Sequence, residues 1–203
     1  MKFIQSGLCV TAIVALSGCA STTPTVETRS AYSVFDIQAG SDISATRISQ
    51  VVKEAVQKNM SKANIVYGIP PSPLPEKAPR FQLVSPFKGS SMGALMAAAG
   101  QNLQIPTCEG AILTVNARDD SMAGYSEGTS FFACVMPYQG GYALNTYTTY
   151  TKASGAFSAA TLGATLARAV VGDSSQFIPR TIAQVVEAVK QTGAVVTLVE
   201  AYP

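Results

Sequence analysis

The sequence predicts an α+β fold: a central, mainly antiparallel sheet with a three-strand meander, packed by about four helices. Apolar residues recur at three- and four-residue spacing in two long segments, as in helices with one buried stripe. Between those segments, runs rich in branched and aromatic residues follow one another with short returns, the pattern of consecutive antiparallel strands. Beyond residue 18 the chain keeps 185 of its 203 residues, enough for one well-cored domain.

The elements follow in order along the chain. Ser44 can cap a helix through Asn59 or Met60, its stripe formed by Ile48, Val51, Val52, Ala55 and Val56. Residues 64–67 read as a short strand. Pro70, Pro71, Pro73, Pro75 and Pro79 then make residues 69–79 a stiff, extended connection. It reads as a spacer lying on its own domain rather than as a ligand for an aromatic groove. Residues 81–84 look like an edge or entering strand. Ser90 or Ser91 opens a second helix, MGALMAAAGQNL, thin-surfaced at Gly93, Ala97 and Ala98.

Residues 111–115, 129–136 and 142–152 supply the three strands of the meander, with Gly140 and Gly141 turning the last pair. Residues 159–171 read as a small-residue helix with Leu162, Leu166, Ala169 and Val170 on one side. A fourth helix runs from about Pro179, turns Ile182, Val185, Val186 and Val189 inward and stops at Gly193. Residues 194–200 form a last strand. The first and fourth helices share an I-x-Q-V-V pattern. Amphipathic helices reuse few apolar types, so chance is preferred to duplication.

The N-terminus has its own logic. Lys2 gives a short positive region, and an apolar run, mainly residues 8–16, ends in small residues. The run is shorter than the roughly 20 apolar residues a membrane-crossing helix needs. Leu16-Ser17-Gly18-Cys19 follows directly, two small residues before a thiol. This segment resembles the lipobox of bacterial lipoproteins, all four positions matching. The resemblance implies a signal peptide over residues 1–18, a diacylglycerol thioether on Cys19 and usually a further acyl chain, a palmitate-like group, on its new amino group. Ala20 replaces the aspartate of the inner-membrane retention signal. The expected location is therefore the outer membrane, with the domain facing the periplasm and exposure to the exterior as the alternative. Residues 19–42, rich in Ser and Thr at their start, are expected to be the lipidated N-terminus and a flexible tether, and residues 43–203 the single domain.

The 14 basic and 12 acidic residues are nearly balanced, and no basic tract appears, so nothing in the sequence recommends nucleic acid as a partner. With Cys9 in the leader and Cys19 lipidated, Cys108 and Cys134 remain in a compartment that permits oxidation. They are expected to form a structural disulfide, with two separate thiols or redox chemistry as alternatives. A hairpin centred at Ser121 would place them opposite one another, setting Ala111 against Phe131, Leu113 against Thr129 and Ile112 against Ser130.

The chain has no histidine, which excludes Ser-His-Asp and Cys-His triads and histidine-liganded zinc. Gly124-Tyr125-Ser126-Glu127-Gly128 matches G-x-S-x-G, but no base is available and a hairpin loop is expected there. Ser49 and Lys53 are four apart on the first helix, with Lys53 read as a solvated surface lysine. Asp119, Asp120 and Glu127 lack the regular oxygen spacing of a calcium loop, so neither metal nor cofactor is expected. Tyr138, Tyr142, Tyr147 and Tyr150, interleaved with Thr and Asn, are the candidate partner-binding surface, although the alternation breaks between Leu144 and Tyr147.

Two function classes follow. The preferred one is a non-enzymatic, membrane-tethered module that binds or scaffolds another component of the cell envelope, a protein or the cell wall. The other is a hydrolase of cell-wall or glycan substrates, using two carboxylates drawn from Glu109, Asp119, Asp120, Glu127 and Asp173.

Overall fold

A computed structural model of the chain describes residues 25–60, 62–99, 104–120, 128–154 and 174–202. The strands are β1 (Thr25–Gln38), β2 (Lys62–Tyr67), β3 (Gln82–Val84), β4 (Ile105–Thr107), β5 (Leu113–Asp119), β6 (Gly128–Tyr138), β7 (Gly141–Ser154) and β8 (Val195–Tyr202). The helices are α1 (Ala45–Asn59), α2 (Ser91–Ala98) and α3 (Ser174–Lys190). Six strands form one antiparallel sheet in the order β2-β5-β6-β7-β1-β8, and β3 pairs with β4 in a separate ribbon. The class is therefore α+β, with three helices among the described residues rather than about four. The helix expected at residues 159–171 lies outside the described residues.

Strand parity divides the sheet into two faces. One face carries Phe35 and Ile37 of β1, Leu113 and Val115 of β5, Phe131, Ala133 and Val135 of β6 and Leu144 of β7, all buried. Onto it packs the apolar stripe of α1, Ile48, Val51, Val52, Ala55 and Val56, beside Val185 and Val189 of α3. Ser44 caps α1 by accepting from Arg47 N at 3.2 Å, which satisfies an N–H with no partner inside the helix. The two helices are tied laterally where Asn59 Nδ2 donates to Gln184 Oε1 at 2.7 Å. α3 begins at Ser174, so Pro179 sits inside it rather than at its start.

The opposite face is covered differently. The proline-rich connection leaves β2 and lies along the sheet, held at intervals by polar contacts. Gly68 N donates to Ile112 O at 3.2 Å, Gln139 N to Pro75 O at 2.9 Å, and Asn145 Nδ2 to Pro79 O at 3.3 Å. The turn at Gln139–Gly140 leads into Gly141 at φ +145°, where a β carbon would meet Ile37 O at 2.3 Å. Only glycine fits that approach.

Two expectations are corrected here. Residues 25–38, placed in the flexible tether, form β1 at the interior of the sheet, with Val34, Phe35 and Ile37 buried. Their Ser and Thr content reads as linker composition, but Val34 on one face and Phe35 and Ile37 on the other meet the demand of a strand covered on both sides. The hairpin register also differs. Leu113 lies opposite Val135, and Cys134 opposite Thr114. The shift is an even number of residues, so the face assignments survive it.

Candidate functional site: a groove on the face away from the helices

Cys108 and Cys134 form a disulfide with Cα atoms 6.5 Å apart. Cys108 is not a partner strand residue. It follows β4, and the turn at Glu109–Gly110, with Gly110 at φ +72°, redirects the chain into β5. The bridge therefore fastens the β3–β4 ribbon onto the outer face of β6, where Cys134 is fully buried beside Ala111, Phe132 and Met136. It is a staple between layers rather than a rung of a ladder.

The register arranges that outer face into rows running across the strands. One row is Val34, Asn145, Cys134, Thr114 and Val66. The connection and the disulfide cover its middle: Asn145 is fully buried, and its Oδ1 has no hydrogen-bond partner among the described residues. The next row is Tyr32, Tyr147, Phe132, Asn116 and Asn64. The row after it is Ser30, Thr149, Ser130, Arg118 and Lys62. Most of these last two rows lines an open groove of about 1560 Å³, walled on one side by residues 104–108. Five strands at roughly 4.8 Å spacing give it a length of about 19 Å.

Phe81 closes one end of the aromatic row. Its ring lies 5.5 Å from that of Tyr32, edge-on, and 5.7 Å from that of Tyr147. Tyr32 stacks on Tyr202 at 5.9 Å and donates from its hydroxyl to Glu200 Oε1 at 2.5 Å. Arg80 binds the other oxygen of the same carboxylate. The hydrogen bond from Tyr32 and then the Arg80 guanidinium hold Glu200 below the usual carboxylate range, while donating to that carboxylate pushes Tyr32 above the ordinary phenol value.

The four tyrosines singled out from sequence do not share a surface. Tyr147 lies beside the groove's Phe132 and lines it. Tyr138 sits at the far end of the sheet, donating to Asp36 Oδ1 at 2.6 Å and accepting from Gln38 Nε2 at 3.1 Å. Burial first, and the Asp36 contact second, raise its pKa. Tyr142 and Tyr150 have the parity of Leu144 and so face the helices. Tyr142 packs against the main core, and burial raises its pKa.

Of the five candidate acids, Glu109, Asp119 and Asp120 lie among the described residues. Asp120 pairs with Lys62 at 2.9 Å, a contact that lowers its pKa through the hydrogen bond and the charge. Glu109 is exposed in its turn, Asp119 ends β5, and Glu127 and Asp173 lie outside the described residues. So do residues 124–127 of the G-x-S-x-G match, while Gly128 opens a strand where a nucleophile elbow requires a helix. Ser49 is buried in α1 and Lys53 half-exposed. Among the described residues no three His, Cys, Asp or Glu side chains cluster as metal ligands, and no helix is long and apolar enough to cross a membrane.

Sequence reasoning found Tyr147 of this groove but missed Asn64, Asn116, Ser130, Phe132 and Thr149. Their common signal is strand parity, which becomes useful only once the pairing of five strands is known. No family model, no curated protein and no solved structure matches this chain.

Proposed function

We propose that the chain is a lipoprotein held through Cys19 in the outer membrane, whose periplasmic domain binds another component of the cell envelope in this groove. What carries the reading is the two-row floor, one row of hydroxyls and cations beside one of aromatics and amides. Such a floor offers many weak, directional contacts to an elongated polar ligand, with ring faces to stack on it. A glycan strand or an extended peptide of the envelope has that chemistry. The groove's lining among the described residues includes Lys62 and Arg118 and no carboxylate, which favours binding over the competing two-carboxylate hydrolysis.

A photo-crosslinking residue placed at Asn116 or Thr149 in living cells tests this, with Gln184 on the outer side of α3 as control. One discrete envelope adduct from the groove positions, missing from the control, is expected. Adducts equal at all three positions, or none from the groove, overturn the binding assignment.

A further inference from the structure

The ribbon that walls the groove carries α2, and this lobe has an unusual surface. Across residues 82–107 the only charged side chain is Lys88. Within α2, Met92, Ala94, Leu95, Met96 and Ala97 point around the whole circumference, yet none of the helix's residues is buried. Met92 and Leu95 are 51% and 66% exposed, and Leu83, Val84 and Ile105 on the ribbon are also uncovered. A helix apolar on every side is ordinarily found inside a protein or a membrane. None of the described residues buries it, and exposed apolar side chains gathered in one segment in this way mark an interaction surface.

The chain's path indicates what lies against it. Residues 104–107 form the wall of the groove whose floor includes Thr28 and Ser30, so β4, the strand that α2 leads into, stands over the end of the sheet where β1 begins. From Thr25, the first residue of β1, only six peptide steps lead back to Cys19, a reach of at most about 22 Å. A lipid on Cys19 therefore brings this end of the sheet, and the lobe with it, down to the bilayer. Lys88, the one charged residue of the lobe, is a cation, which suits anionic headgroups.

We propose that α2 and its flanking turns rest in the headgroup–acyl boundary of the leaflet that holds Cys19, so that the domain is seated on the membrane by two contacts, the lipid and this lobe. The inference rests on the lipid-anchor reading. α2 has eight residues, about 12 Å of helix, so it lies in the interface and does not cross. The seating fixes the domain's orientation and sets the groove mouth beside the leaflet.

The full-length protein, purified from membranes, carries an environment-sensitive fluorophore on Leu95→Cys or, as control, on Gln184→Cys. Each is reconstituted into phosphatidylethanolamine–phosphatidylglycerol vesicles containing nitroxide-labelled lipid, and mass spectrometry reports acylation of Cys19. With Cys19 acylated, loss of most emission at position 95 and little at 184 is the expected result. Acylated protein quenched equally little at both positions overturns the seating while leaving the anchor intact. Protein without acyl chains overturns both, because the short tether then holds nothing to the bilayer. Emission at 95 that responds to protein concentration and not to lipid nitroxide assigns the lobe to a second copy of the chain, and also overturns the proposal.

Discussion

Replacing Cys108 and Cys134 together by alanine should loosen one layer of the protein more than the other. The bridge closes a chain separation of 26 residues. In the chain-entropy model a loop of that length contributes about 3.5 kcal/mol at room temperature. For a domain of this size roughly 2–4 °C of melting temperature accompany each kcal/mol, so the variant should melt about 7–14 °C lower. The structure adds where the loss falls. The main core between the sheet and the two long helices contains neither cysteine, whereas the ribbon and α2 are fastened to β6 through Cys134. Hydrogen exchange should therefore accelerate most across residues 82–107 and least in β5, β6 and α1. Circular dichroism melts give the first quantity, and exchange mass spectrometry the second. A double variant melting within 2 °C or so of the parent, or two thiols at these positions alkylated quantitatively in native protein, would refute the staple.

Three further outcomes are expected. Cys19→Ser should abolish incorporation of radiolabelled fatty acid and release the protein or leave it unprocessed; label retained on the variant contradicts the anchor. Leu113→Ala, at a fully buried site on the helix-facing side of β5, should cost about 2–5 kcal/mol in urea unfolding, and a cost below 1 kcal/mol would mean that this side is not the packed core. Glu200→Gln should destabilise the protein near neutral pH and hardly at all in acid. The folded pKa of Glu200 is depressed, so its contribution is present above the ordinary carboxylate value of about 4.3 and fades as pH falls through the depressed one. A difference from the parent that stays constant between pH 7 and the acid limb would show that Tyr32 and Arg80 do not stabilise the charged form.

Much of the fold could be read from local pattern, and the groove could not. The stripe of α1 and its Ser44 cap follow from spacing and residue type alone, and the strands expected at residues 111–115, 129–136 and 142–152 overlap those at 113–119, 128–138 and 141–154, the first running four residues past its expected end into what read as a polar turn. β1 escaped because Thr25–Ser30 has the composition of a linker, and only two flanking strands make Ser33–Ile37 a buried segment. The cysteines pointed correctly to a disulfide and wrongly to a register, because equal spacing about a turn assumes both residues are in the paired strands. Cys108 instead follows a separate ribbon. The groove depends on which residues of five strands come opposite one another, and local sequence does not encode that. Tyr147 could be singled out; Tyr32, more than a hundred positions away, could not be joined to it.

The place of β1 in the sheet has a consequence for how the chain becomes a protein. Among the described strands the first is flanked by the last two, β7 and β8, with contacts such as Thr146 to Ser33 spanning 113 residues. The segment that carries β1 must wait for nearly everything else before it finds its neighbours. Such long-range closure is slow compared with local pairing. During that interval β5, β6 and β7 can assemble from nearby sequence, but β7 keeps one edge open until the N-terminal segment arrives. If that segment is already fixed to a bilayer at Cys19, its search is confined to a short radius, and the membrane acts as the bench on which the sheet is finished.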